Sequence, residues 1–96
     1  MDLAEALRVV RDNLKGRSDS KHFHDQLEKR GLDREMIERV LSAGEPWGIV
    51  EPDEGLYKVW FAFEKDKDLN VVIRIVDGEQ IRLVTLFPCD VKRRRR

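Results

Sequence analysis

SKHFHDQLEKRGLDREMIERVLSAG, residues 20–44, reads as two short helices folded about an Arg30-Gly31-Leu32 corner. Ser20 is placed to cap the first helix, which runs to Arg30 and buries Phe23 and Leu27 one turn apart. Gly31 lets the chain reverse. Asp33 caps the next helix, whose inward stripe is Met36, Ile37, Val40 and Leu41, and Gly44 followed by Pro46 ends it. A helix-turn-helix reading is disfavoured, because DREMIERVLSAG mixes its charges and lacks a run of Asn, Gln, Ser or Arg suited to base edges. The pair is instead a platform on which the rest of the chain docks.

Upstream, Leu3, Leu7, Val10 and Leu14 recur at steps of four, three and four, predicting a helix from about Asp2 to Lys15 that stops at Gly16. Downstream, β-branched and aromatic residues alternate with turn signals. They predict strands at about 47–51, 56–64, 70–76 and 80–87, with Pro52 to Gly55 a turn, Lys65-Asp66-Lys67-Asp68 a polar loop and Asp77-Gly78 a tight hairpin. The fold class is therefore α+β: three N-terminal helices packed on a four-stranded antiparallel meander.

In the second strand, alternation sets Tyr57, Val59, Phe61 and Phe63 toward the core and Lys58, Trp60, Ala62 and Glu64 away from it. The last two strands are apolar on both sides, so both faces of that hairpin are expected to be covered, at least in part. Ile81, Leu83 and Thr85 oppose Arg82, Val84 and Leu86. A two-residue Asp77-Gly78 loop sets Arg74 beside Ile81, whereas a three-residue loop unites Ile73 with Leu83 and brings Arg74 and Arg82 onto one face. Register thus decides whether Lys58, Arg74 and Arg82 act together.

The 96 residues are 41% hydrophobic and 40% charged, which suits one small folded domain, residues 1–91. Acids and bases balance at 19 each, but Lys92 to Arg96 hold five of the bases, so residues 1–91 carry a net charge of −5. Residues 92–96 are expected to be a basic disordered tail, whose attraction to phosphates would be salt-sensitive and unspecific. Cys89 is the single cysteine, excluding an intrachain disulfide and fitting a reducing cytoplasm. The opening residues, MDLAEALRVVRDNLK, lack the continuous apolar run of a signal peptide or membrane span.

On a helical wheel, His22, Gln26 and Arg30 form one edge of the second helix beside Phe23 and Leu27, with Lys29 nearby. A base, an amide and a guanidinium on such an edge suit a phosphate lying against the sheet, and equally suit an ordinary helix boundary. His22 and His24 point to nearly opposite sides, so no shared metal site is expected. His24 is placed on the surface near Glu28. No glycine-rich phosphate loop or nucleophile elbow calls for a cofactor or a serine mechanism. Trp60, beside Lys58, offers either a ring for base stacking or a packing and dimerisation contact, and a free sheet edge would suit an antitoxin-like peptide.

Ser20-x-His22, Arg30-Gly31-Leu32, Leu41-x-x-Gly44 and the terminal Ile81-Arg82-Leu83-Val84-Thr85-Leu86-Phe87-Pro88 together resemble a small prokaryotic domain family of unknown function. That family is similar in outline to the RelE/ParE toxin superfamily, including BrnT-like toxins. The resemblance spans about Ser20 to Pro88. It implies a RelE-like fold and a metal-independent endoribonuclease of toxin-antitoxin type, in which a ribose 2′-hydroxyl attacks the adjacent phosphate. Carried onto this chain, it makes His22, Arg30 and Thr85 the catalytic candidates, and the helix edge and strand faces read above add Gln26, Lys58, Trp60, Arg74 and Arg82 as expected RNA contacts. Gln26 stands where the family usually has arginine, and Phe87 where it has tyrosine. The implied partners are RNA or the ribosome and an antitoxin-like protein; a non-catalytic binding module of the same fold, homodimeric or partnered, is the alternative.

Overall fold

Ser20 joins the helical layer to the sheet. In the computed structural model, which describes residues 2–43, 46–64, 67–76 and 80–90, its Oγ accepts from Phe23 N–H at 3.1 Å and so caps the helix Lys21–Arg30 (α2). The same hydroxyl donates to the Val84 carbonyl at 2.6 Å, and Ser20 N–H donates to the Leu83 carbonyl at 2.9 Å. One residue thus starts the helix and fastens it to the strand Gln80–Asp90 (β5).

The capping signals of the helices act as the sequence predicts, but two residues of the predicted inward stripes, Leu3 and Met36, are 43% and 37% exposed at the rim of the core. Leu3–Asn13 (α1) opens with Glu5 N–H donating to Asp2 Oδ1 at 2.8 Å and runs into a 3₁₀ turn, Leu14–Gly16. Gly31 adopts the left-handed conformation, φ 61°, and α2 closes with Leu32 N–H on the Leu27 carbonyl and Gly31 N–H on the Glu28 carbonyl. Asp33 then accepts from Glu35 N–H and begins Arg34–Ala43 (α3). The expected stop at Gly44 and the Asp77-Gly78 turn lie outside the described residues.

The sheet differs from a four-stranded meander. Besides Pro46–Asp53 (β2), Leu56–Glu64 (β3), Lys67–Val76 (β4) and β5, Ser18–Asp19 forms a short β1 that pairs in parallel with Arg82 and Leu83. The order is β1-β5-β4-β3-β2, a five-stranded mixed sheet. Two residues carry no periodicity, so β1 is decided by its non-local partner. β4 also begins three residues earlier than expected. Lys67 and Asp68, expected in a polar loop, are strand residues paired with Asp90 and Cys89, because ladder pairing on both sides outweighs their low strand propensity.

Register resolves the open alternative. Arg74 pairs with Arg82 and Ile73 with Leu83, so the arginines share a row. The register then shifts, Val72 pairing with Thr85, which leaves Val84 as the extra residue of a bulge. The bulge reverses the expected alternation: Leu83 and Leu86 both enter the core, and Thr85 moves to the side of Arg82. The Val84 carbonyl is also the one that accepts from the Ser20 hydroxyl.

All three helices contribute to one core, on one side of the sheet. Val9, Val10, Phe23, Leu27, Ile37 and Leu41 meet Tyr57, Val59, Phe61, Leu69, Val71, Ile73, Leu83 and Leu86 in a single cluster. Burial of each large apolar side chain there is worth about 1.5–3 kcal/mol. The opposite face carries none of that cluster, but Asp68, Asn70 and Val72 at its centre are buried, so the cover expected on both sides is met there in part. We call it the open face.

Candidate functional site

Pairing and alternation put cross-strand rows on the open face. One holds Leu56, Arg74 and Arg82; the next Lys58, Val72 and Thr85; the next Gly48, Trp60, Asn70 and Phe87; and the last Ala62, Asp68 and Cys89. Five sequence-predicted site residues, Lys58, Trp60, Arg74, Arg82 and Thr85, therefore share one surface. Lys58, Arg74 and Arg82 form no ion pair with any described residue. The acids on these rows are Asp68, which is 1% exposed, and Asp53 at the corner opposite Leu56. In a chain whose first 91 residues are net acidic, the charges that this face offers to solvent are thus mostly cationic.

Aromatic rings lie among those cations. Trp47 and Trp60 have ring centroids 5.9 Å apart at a tilt of 38°, and Trp47 is 43% exposed. A Cβ at Gly48 would meet the Trp60 ring at 3.7 Å, an ordinary contact, so the indole lies beside this position of β2 and a small side chain would fit there. Phe87 is half-buried on the far side of Asn70.

The helical candidates border this surface. The end of β5 beyond β1 runs beside α2, whose first turn is held at Leu83 and Val84 through Ser20 and whose last turn reaches Phe87. Arg30 lies 6.0 Å from the Phe87 ring centroid, a cation–π distance, and its Nε donates to Gln26 Oε1 at 2.8 Å. Gln26 thus steers the arginine one turn later. His22 is exposed on the first turn, and no hydrogen bond, ion pair or ring contact with a described residue orients it. Phe23 separates it from His24, whose Nδ1 meets Arg34 Nη2; the expected neighbour, Glu28, is not that partner.

Several residues of consequence were not singled out from the sequence. Asn70 is 6% exposed on the central strand, and its Oδ1 has no hydrogen-bond partner among the described residues. An orphaned buried acceptor costs about 1–3 kcal/mol, so a polar ligand for it is a natural question. Its central position follows from strand order, which one chain read alone does not provide. Arg17, 6% exposed at its side chain, is the second. Its Nε donates to Asp19 Oδ1 at 2.8 Å, its Nη2 pairs with Glu38, and it lies 6.0 Å from the centre of the Phe23 ring. Trp47, the residue at the β2 register shift between Pro46 and Gly48, is the third.

No family model matches the chain, and neither does any curated protein or solved structure. The RelE-like reading therefore rests on the motifs and on the surface just described. Among the described residues, no three His, Cys, Asp or Glu side chains are grouped to hold a metal ion, and no helix is long and apolar enough to cross a membrane.

Proposed function

We propose that this chain is a RelE-like, toxin-type RNA-binding protein that takes single-stranded RNA on the open face of its sheet. The observation that carries the reading is the shared face itself: Lys58, Arg74 and Arg82, none ion-paired with a described residue, stand in adjoining rows with the aromatic rings of Trp60 and Phe87. Cations that track a phosphate backbone, interleaved with rings that accept base faces, are the two requirements of single-strand binding. Thr85 adds a hydroxyl in the Lys58 row, a donor for a phosphate or a 2′-hydroxyl.

The second reading, metal-independent cleavage, is favoured by the position of the α2 edge. Arg30 touches the same surface through Phe87, and His22 begins the helix that Ser20 fastens at Val84, next to Thr85. In that role a 2′-oxygen attacks the adjacent phosphorus, its proton leaves to a base, the 5′-oxygen departs with a proton from an acid, and a 2′,3′-cyclic phosphate remains. His22 would serve as the acid or the base, and Arg30 would stabilise charge on the phosphoryl oxygens. Antitoxin-like pairing belongs to the free β2 edge.

The test is binding and cleavage of labelled single-stranded RNA by wild type, by Lys58→Ala/Arg74→Ala/Arg82→Ala and by His22→Ala. Binding should be salt-sensitive and should weaken at least tenfold in the triple variant, whereas His22→Ala should bind normally and lose any cleavage. RNA bound equally well by the triple variant contradicts the binding surface. Cleavage that survives His22→Ala, or is absent from wild type both alone and with ribosomes, contradicts the enzymatic reading alone. A protein-interaction module would instead leave RNA unbound and show a stable homodimer or partner complex.

A further inference from the structure

We propose that the free edge of β2 pairs with the β2 of a second copy of this chain, antiparallel about a two-fold axis at Ile49, so that two sheets join into one. The inference goes beyond the RNA-binding reading and does not depend on it. β2 is hydrogen-bonded to β3 on one side, and no described strand lies on its other side. An open edge is a template for another strand, and soluble proteins commonly block one with charges, prolines or bulges. In β2 such devices stand at the ends: Pro46 and Pro52, with a register shift at each, bracket residues 47–51. No lysine or arginine lies between them. The one charge there, Glu51, is turned back to its own hairpin, where Oε2 accepts from Gly55 N–H at 3.0 Å.

The symmetry of the strand selects the occupant. The two prolines stand three residues either side of Ile49, so a copy centred there sets Pro46 of each chain against Pro52 of the other, and the ladder ends where neither has an N–H to donate. Gly48 and Val50 flank Ile49 on the open face, paired with Trp60 and Lys58. The axis therefore sets each Val50, 44% exposed, opposite the other chain's Gly48, where bare backbone leaves room beside the Trp60 ring. On the helical side, Ile49, half-buried against the core, meets its own counterpart. A slip of one residue would set Ile49 against Val50, which belong to opposite faces. A second copy thus brings the matching prolines, gap and projection in reverse order, and an antitoxin-like strand would have to compete with it.

Five residues a side are far fewer than the about 20–30 of a standard interface, so the dimer is weak and must be sought at high concentration. In sedimentation equilibrium without RNA, the mass of the full chain should rise from near 11.3 kDa at about 10 μM toward twice that at about 1 mM. Val50→Glu, whose carboxylate faces Lys58 within one chain, should keep the wild-type melting temperature and weaken association at least tenfold. In a Cys89→Ser background, Ile49→Cys should form an intermolecular disulfide under mild oxidation, because opposed residues lie about 4.5–5.5 Å apart. Val50→Cys should not, because two positions of offset put it about 8 Å from its counterpart. Wild type that stays at the monomer mass to about 1 mM overturns the inference. So does folded Val50→Glu that associates like wild type, or crosslinking that favours Val50→Cys. RNA binding by a strict monomer would sink this inference alone, whereas a dimer that leaves RNA unbound would sink the RNA reading alone.

Discussion

Arg17→Met should destabilise the fold by about 2–4 kcal/mol. The guanidinium is almost fully enclosed and bonds Asp19, whose side chain is 19% exposed, so the charge-assisted bond at 2.8 Å should account for most of the loss, about 1.5–3 kcal/mol. The Glu38 side chain is 41% exposed, and solvent screening reduces that pair to about 0.2–1 kcal/mol. The long bond from Nη1 to the Leu14 carbonyl, 3.4 Å, adds little. Methionine keeps most of the packing against Phe23, so the measured loss reports the polar network. Urea unfolding followed by circular dichroism should show a midpoint lower by about 1–3 M with an unchanged slope. The double variant Arg17→Met/Asp19→Asn should lose less than the sum of the single changes, because it removes the carboxylate that the first leaves unpaired. A midpoint for Arg17→Met within experimental error of wild type would refute the idea that this residue ties the 3₁₀ turn, β1 and α3 together.

Gly31→Ala should cost about 1–2 kcal/mol, since φ is 61° and nothing lies within 4 Å of the added Cβ, so the penalty is that of the left-handed backbone alone. An unchanged melting temperature would contradict that conformation. Tyr57, the single tyrosine, has its phenol raised above the ordinary value first by burial and then by its hydrogen bond to Glu51 and the charge of Glu51. The neutral phenol is thus favoured in the fold. Its stabilising contribution is complete below the unfolded-state value of about 10 and is lost as pH rises through the higher folded-state value. Phenolate absorbance should therefore develop later than that of free tyrosine, and Tyr57→Phe should lose less stability above pH about 10 than wild type does. Titration at the free-tyrosine position would contradict the burial of that hydroxyl.

The helical layer is legible from sequence because its punctuation is local. Ser20, Gly31 and Asp33 act within a turn of where they stand, and Phe23 and Leu27 declare their buried face by spacing alone. The sheet was legible in composition but not in detail, because its details depend on distant partners. Ser18 and Asp19 become a strand only because Arg82 and Leu83 lie beside them. The Val84 bulge moves Thr85 from one face to the other, and no periodicity in Ile81 to Phe87 announces it. Arg17 and Glu38 are 21 residues apart and meet only after α3 folds back.

The candidate site divides in the same way. Lys58 and Trp60 follow from alternation, and Arg74 with Arg82 follows from one of two registers. The burial of Asn70 and Asp68 requires strand order, which sets β4 at the centre of the sheet. Two polar residues at the start of a predicted strand, or just before it, carry no such signal.

The central claim, that the open face binds single-stranded RNA, has a built-in reporter: both tryptophans of the chain, Trp47 and Trp60, meet there. Titrating RNA into wild type at increasing salt should quench their emission, and for contacts by Lys58, Arg74 and Arg82 the logarithm of affinity should fall against the logarithm of salt with a slope of about −2. Removing the three cations should abolish most of that slope. Tryptophan emission that RNA leaves unchanged at low salt, or an unaltered slope in the triple variant, would contradict the account.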